Sequence, residues 1–298
     1  MSRIAVLGRG AWGTALAGTL TAAGHEVATW ARGEGFACLA GAAAVLSAVP
    51  SGATREVLGL AAPHLARGTP VVLTAKGLEP GTLAPQTAIA AEAAPDHPRA
   101  VLSGPGFAAD LAAGLPTAVT LAVEAEADGP ALQHLLATPS LRPYLSDDPL
   151  GAQLGGALKN VVAIACGAAI GAGYGESARA ALVTRGFAEM TRLAVARGAR
   201  GETLAGLSGL GDLVLTATSA QSRNFAYGLA LGRGETPEAI AADGRTYEGA
   251  RTARAAAELA DGLGLDVPVT RAVAGLVAGR LTVRDTAETL LTRPLRRE

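Results

Sequence analysis

Cysteine is scarce: the chain of 298 residues has two, Cys38 and Cys166. They stand far apart in apolar surroundings and match no metal-ligand or disulfide spacing. Buried thiols, a reducing compartment and no metal site are expected. A surplus of charge of one sign is missing as well. Lys and Arg number 25 against 26 Asp and Glu, a net charge of −1, so no broad basic surface for nucleic acid is implied. Long hydrophobic runs are missing too. The longest uncharged run, from Asn160 to Gly175, is too short and too Gly-rich for a bilayer span, so stable membrane insertion is not expected. Met1-Ser2-Arg3 leads straight into the first apolar run, which speaks against a signal peptide and for the cytoplasm. What the chain does have is length for two domains, and abundant alanine, which favours helix but blurs periodicity.

Ile4-Ala5-Val6-Leu7 is a short continuous apolar run, the pattern of a buried parallel strand. Gly8-Arg9-Gly10-Ala11-Trp12-Gly13 follows at once, then a helix from Thr14 to Ala23, then a second strand, Glu26 to Trp30. In a chain with 39 glycines a bare GxGxxG says little. Between a strand and a helix that lead to a second strand, it reads as a dinucleotide fingerprint. Gly8 allows the tight turn, Gly10 lets backbone approach a pyrophosphate, and Gly13 lets helix pack on strand. The helix N-terminus offers N–H groups to the phosphates. The plain alternative is a strand-to-helix turn without a ligand. After the second strand an acidic residue would hold the ribose hydroxyls of NAD. Arg32 stands there instead, placed to pair with a 2′-phosphate, and Glu34 blurs the sign. NADP or NAD is expected, with NADP preferred.

Further strands are expected at 45–49, 71–75, 100–103 and 118–121, with helices near 53–67 and 82–94. Ligands of an open parallel sheet bind beyond the carboxyl ends of its strands. One such end leads into Lys76-Gly77-Leu78-Glu79, another into Ser103-Gly104-Pro105-Gly106-Phe107-Ala108. Lys76 is therefore placed to meet an anion; a solvated loop lysine is the alternative.

After Asp147-Asp148-Pro149 the strand pattern gives way to helices, expected at 151–170, 177–197, 222–232, 248–262, 268–279 and 283–292. Lys159 and Asn160 open the apolar run Val161 to Ile170. A helix apolar all round is buried in a core, and lysine is almost never buried without a reason. Burial disfavours the charged ammonium and makes a lysine usable as a proton donor or acceptor near neutral pH. The other reading of Lys159 is a stem on the core with its amine in water. Asp212 stands in a Gly-rich loop, Gly206 to Val214, where a carboxylate among apolar groups needs a partner. Ser222 can cap a helix. Arg223 and Asn224 in its first turn would place a guanidinium and N–H donors around a phosphate. An ordinary cap with a solvated arginine stays open.

Together these stretches resemble the NAD(P)-dependent glycerol-3-phosphate dehydrogenase family in its bacterial form. The resemblance is carried by GRGAWGTALA (8–17), TAKGLE (74–79), LSGPGFAADLAAGLPTAVTLA (102–122), GAQLGGALKNVVAIACG (151–167), ALVTRGFAEM (181–190), GLGDLVLTAT (209–218), QSRNFAYG (221–228) and YEGARTA (247–253). It implies an α/β fold: a Rossmann-type doubly wound parallel sheet over 1–148, then an all-α substrate domain over 149–298. It implies interconversion of dihydroxyacetone phosphate and sn-glycerol 3-phosphate with NAD(P)H, a supply for glycerophospholipid synthesis, and a homodimer.

Lys159 matches the family's proton acceptor. Lys76, Asn160, Asp212, Thr216, Ser222, Arg223 and Asn224 match substrate-contacting positions, with Gly104 and Gly106 beside them. Ala11, Trp12, Arg32, Lys76, Ala108, Thr246 and Glu248 match cofactor-contacting positions, and Arg223 is a further candidate. The chemistry agrees. A growing alkoxide needs a proton and a nearby positive charge, and Lys159 can supply both. Lys76 would repel the charge on that lysine and polarise the same oxygen. Asp212 and Asn160 would orient the amine and the free hydroxyl, while Arg223 and Asn224 fix the phosphate.

One region departs from the family. There the second strand is followed by a helix, a loop and a third strand; here only Ala31 to Ala44 separates Trp30 from the strand at 45–49. A single helix over Glu34 to Ala43 is expected. The strand at 45–49 should lie beside the first strand, leaving the second at a sheet edge. The missing segment would cover the adenine side of the cofactor. Two other functions stay open: a cofactor-binding redox regulator without turnover, and a related two-domain reductase acting on a different hydroxy substrate.

Overall fold

The computed structural model describes residues 1–79, 82–124, 127–242, 244 and 246–294. Strands β1 (Arg3–Leu7), β2 (Glu26–Trp30), β3 (Ala44–Ser47), β4 (Val71–Leu73), β5 (Arg99–Ser103), β6 (Thr117–Val123) and β7 (Leu141–Ser146) form one sheet, ordered β2-β1-β3-β4-β5-β6-β7. Neighbours run parallel except β5 and β6, which are antiparallel.

The central strands are unbroken apolar runs because both faces are covered. Ile4, Val6, Leu46, Val72 and Leu102 turn to one core, shared with Leu16 and Leu20 of α1 (Ala11–Ala22), Leu111 of α4 (Ala108–Ala112) and Leu132 and Leu136 of α5 (Gly129–Leu136). Ala5, Leu7, Val45, Val71 and Leu73 turn to the other, with Val57 and Leu58 of α2 (Thr54–Ala61) and Ala90 of α3 (Gln86–Ala93). The strand period of two sorts the side chains between the faces, and each fully buried Leu or Ile contributes about 1.5–3 kcal/mol.

β3 pairs with β1 on the side away from β2, with Ile4 opposite Ala44 and Leu7 opposite Ser47, so β2 is an edge as its short connection requires. The helix expected over Glu34 to Ala43 is corrected to one 3₁₀ turn, Phe36–Leu39. Gly33 and Gly41 take φ +92° and +69°, which no helix continues through. Aromatic stacking fastens the crossover instead. Trp30 lies on Phe36 with centroids 5.1 Å apart, and Phe36 lies on His64 at 5.4 Å. β7, α4 and α5 were not expected. β7 contains Pro143, which lacks a ladder donor and is tolerated because the strand is an edge.

The chain divides into two compact units, Met1–Gly156 with Gly198–Asp212, and Ala157–Arg197 with Leu213–Glu298. Residues 149–156 and 198–212 belong with the sheet through buried polar contacts. Asp148 accepts from the backbone N–H groups of Gly151 at 2.8 Å and Arg200 at 2.9 Å. Gln153 Nε2 donates to Thr87 Oγ1 at 2.9 Å. Also in this part are α8 (Gly201–Ala205) and a π-helical turn, Leu207–Gly211.

Helix α6 (Pro149–Gly171) is long and apolar enough to cross a membrane by length and composition, yet 89% of its most apolar window is buried within the protein. The second unit continues with α7 (Gly175–Ala196), α9 (Asp212–Ala217, whose first residue belongs to the first unit), α10 (Arg223–Gly232), α11 (Pro237–Ala241), α12 (Glu248–Gly262), α13 (Pro268–Val277) and α14 (Val283–Leu291). Val161, Ile164, Ala165 and Ala168 form the α6 stripe that packs on Tyr227, Leu231 and Val273. At this crossing α6 and α10 touch backbone to backbone. A Cβ on Gly167 would lie 2.1 Å from Phe225 O, and one on Gly228 2.1 Å from Ile164 O. The contact fixes the start of α10 relative to Asn160 on α6.

Candidate functional site

In the first unit the glycine loop after β1 is a cradle. Gly8 has φ +109°, and a Cβ there would strike Ala48 O at 2.7 Å; a Cβ on Gly13 would strike Gly8 O at 2.0 Å. Gly10 instead faces open space. It is the N-cap of α1. The N–H groups at Ala11 and Trp12 thus head a helix whose positive end carries no side-chain cap and no acidic residue in its first turn. Trp12 Nε1 is buried without a hydrogen-bond partner among the described residues. An open, positive, uncapped helix end fits a dinucleotide pyrophosphate. Gly106 lies against Trp12, a Cβ there falling 3.4 Å from its ring, and Ala108 opens α4. Beyond β2, Arg32 is exposed, whereas Glu34 is held below the usual carboxylate range by the Ala31 N–H and by Arg9.

Lys76 follows β4 on a stapled loop. Gln86 Nε2 donates to Gly77 O at 2.9 Å. Arg55 forks Glu79 at 2.7 and 2.9 Å; this fork and the Thr82 hydroxyl push the Glu79 carboxyl down to about 2. Held there, Lys76 Nζ donates to Asp212 Oδ2 at 2.6 Å and to Gly104 O at 2.8 Å. Asp212 is 1% exposed. The loop expected around it is corrected. Gly211 N–H bonds Gly206 O in the π-helical turn, and Asp212 is the first residue of α9. The glycines that read as loop permit close packing instead: a Cβ on Gly209 would lie 1.9 Å from Leu204 O.

In the second unit Lys159 is 6% exposed, and its Nζ donates to Thr216 Oγ1 at 2.5 Å. Of the two readings of this lysine, the buried one holds. Asn160, 4% exposed, accepts from Asn224 Nδ2 at 2.9 Å, and Asn224 Oδ1 accepts from Gly249 N–H at 3.0 Å. The Asn224 amide therefore ties α6 and α10 to the first turn of α12, where Glu248 stands next to Thr246 and Tyr247. Ser222 caps α10, its Oγ accepting from Phe225 N–H at 3.2 Å. Arg223 is exposed in the first turn and makes no ion pair or hydrogen bond among the described residues. Reading the sequence missed Gly249, whose role is a backbone N–H that no side-chain pattern signals. It also missed Arg9, which sits inside the glycine motif but partners a residue beyond β2.

Fold and chemistry define a class, the two-domain NAD(P)-dependent oxidoreductases. Known proteins narrow it. Residues 3–37 and 35–128 match the model of the NAD-dependent glycerol-3-phosphate dehydrogenase N-terminus, and residues 148–288 match that of its C-terminus. The chain belongs to this family. It is 48% identical over 326 aligned residues to the NAD(P)+ glycerol-3-phosphate dehydrogenase of Parvibaculum lavamentivorans, covering 99% of this chain and 98% of the relative. Identity to the protein of the same name from Cereibacter sphaeroides is 52% over 315 residues, with 99% and 100% covered. The crystal structure of glycerol-3-phosphate dehydrogenase from Coxiella burnetii is 36% identical, superposes with a TM-score of 0.89, and is matched over 98% of this chain and 99% of that one. The N-terminal match breaks at residues 35–37, and these alignments run longer than the 298-residue chain. The shortening therefore falls in the crossover after β2.

Proposed function

We propose that the chain interconverts dihydroxyacetone phosphate and sn-glycerol 3-phosphate, with Lys159 moving the proton. The observation that carries this is the burial of the Lys159 ammonium against Thr216, on a chain of this family. Bound NAD(P)H supplies the hydride. As the substrate oxygen gains charge, Lys159 donates its proton to it; in the reverse direction the neutral amine removes the hydroxyl proton. Thr216 orients the amine. Lys76, fixed by Asp212 and Gly104, offers a second positive charge to the substrate. Arg223 and the first-turn N–H groups of α10 hold the phosphate, with Ser222 and Asn224 shaping that end and Asn160 meeting the free hydroxyl. Gly104 and Gly106 border the substrate.

Gly8, Gly10, Ala11, Trp12 and Gly13 hold the pyrophosphate, and Arg32 reaches the adenosine ribose. Lys76, Ala108, Arg223, Thr246 and Glu248 complete the cofactor contacts. In this reading residues 1–148 mainly serve the cofactor and 149–298 the substrate. The protein works in the cytoplasm as a homodimer, without membrane insertion or nucleic acid, and its product feeds glycerophospholipid synthesis.

The test follows NADPH and NADH absorbance on adding dihydroxyacetone phosphate, beside Lys159→Ala. Turnover that drops by about 10²–10⁴-fold in the variant is expected. Nucleotide binding with no oxidation by the wild type would replace this reading with a cofactor-binding regulator.

A further inference from the structure

The carboxyl end of β2 gathers three charges: Arg9 from the glycine loop, and Arg32 and Glu34 from the segment that follows the strand. In dinucleotide-binding sheets an acidic residue in this region accepts the ribose 2′-hydroxyl and repels a 2′-phosphate. Glu34 has that chemistry, but its carboxylate is already engaged. Oε1 accepts from Arg9 Nη1 at 2.6 Å; Oε2 accepts from Arg9 Nη2 at 2.8 Å and from the Ala31 N–H at 3.0 Å. A carboxylate has about four acceptor positions, so these three bonds leave little for a ribose. The guanidinium is braced from its other side. Its Nε donates to Thr29 Oγ1 at 2.9 Å, and Nη2 also donates to Thr29 O at 3.2 Å. This two-pronged geometry is the strong form of an arginine–carboxylate contact. Arg32, in contrast, is exposed and makes no ion pair or hydrogen bond among the described residues.

We infer that Arg9 sets the cofactor preference of this chain. By holding Glu34 in a braced ion pair it cancels the charge that would select NAD, and leaves Arg32 as the cation for a 2′-phosphate. The pair is about half exposed, at 46% and 43% of the side chains, so in the free protein water screens it and it adds little to stability. An adenosine lying over it would displace that water, and charge balance would then count fully. Arg9 acts through Glu34 and is a positioning residue; Arg32 is the ligand. The inference deepens the proposed function and rests on it only for the presence of a nicotinamide dinucleotide.

The test measures equilibrium binding of NADPH and NADH to the full chain, by nicotinamide fluorescence and without substrate. It compares the wild type with Arg9→Ala, Glu34→Gln, the double variant and Arg32→Ala. The wild type should bind NADPH more tightly than NADH. Arg9→Ala should weaken NADPH about tenfold or more, as expected for an uncovered like charge, and leave NADH within about threefold. Arg32→Ala should remove the preference. Glu34→Gln should keep NADPH binding, and the double variant should recover it, because no charge remains for Arg9 to cancel. A double variant as weak as Arg9→Ala would make Arg9 a direct phosphate ligand and overturn the inference. So would a wild type without NADPH preference, or equal losses for both nucleotides in Arg9→Ala. Failure of the wild type to bind either nucleotide removes the cofactor reading and this one together. Selective binding without turnover of dihydroxyacetone phosphate would sink only the proposed reaction.

Discussion

Asp212 and Lys159 are both buried charged side chains. Lys76 Nζ lies 2.6 Å from Asp212 Oδ2, and Lys159 Nζ donates to Thr216 Oγ1 at 2.5 Å. A buried carboxylate with an ammonium beside it is structurally satisfied, and Lys76 is held in one place as a result. Removing one partner of such a pair leaves the other charge uncompensated. Asp212→Asn is therefore expected to lower stability by about 3 kcal/mol in urea unfolding and to reduce kcat, since Lys76 loses its anchor. Unchanged stability with unchanged kcat would show that the pair does neither job. In the proposed reaction Lys159 moves the proton, so Lys159→Ala should reduce kcat far more than it changes the unfolding midpoint.

Elements set how well such residues are aimed. The start of α10, with Ser222, Arg223 and Asn224, is placed by the backbone contact of α10 on α6. Adding one methyl at Gly228 would put a Cβ 2.1 Å from Ile164 O, a carbonyl that cannot swing away inside a helix. Gly228→Ala is expected to cost about 1–3 kcal/mol or more. It should also raise KM for dihydroxyacetone phosphate, because the helix start moves with the helix. Thermal melting and steady-state kinetics read the two effects; a lower Tm with an unchanged KM would mean that α10 does not aim the phosphate groups. On the sheet side the staple of Arg55 and Gln86 does the same for Lys76, in a loop that has no regular structure of its own.

At the scale of the whole molecule, Glu79 links local geometry to acid stability. Its carboxyl falls from the ordinary 4.5 to about 2 in the folded protein, so the folded state binds its proton less readily than the unfolded chain. Its stabilisation is present above about pH 4.5 and is lost as the pH falls through about 2. Glu79→Gln should be less stable than the wild type at pH 7, and the gap should close on acidification across that window. A gap that does not change with pH would assign the effect to packing rather than charge. The shortened crossover also acts at this scale. It makes β2 an edge and closes that end of the sheet with Trp30, Phe36 and His64 in a stack.

Sequence alone determined what depends on local pattern and chain length. Continuous apolar runs gave strands buried on both faces, and glycines at the end of β1 gave the cradle. The distance from Trp30 to Val45 left β3 no place but beside β1, since one short crossover cannot hold an extra strand. Lys159 stood out because the run that follows it has no polar side, but that pattern left burial and an amine in water both open, and the fold decided for burial. Tertiary structure decided the rest. Lys76 meets Asp212 across 136 residues of chain, and no local signal pairs them. The glycines before Asp212 read as loop because propensity counts only their entropy, whereas packing on Leu204 rewards their missing Cβ atoms. β7 was hidden by Pro143, which only an edge position excuses. Arg9 showed the limit most clearly. Its place in the motif was plain, but its partner was set by how the β1 loop lies against the end of β2, which is a matter of packing and not of spacing.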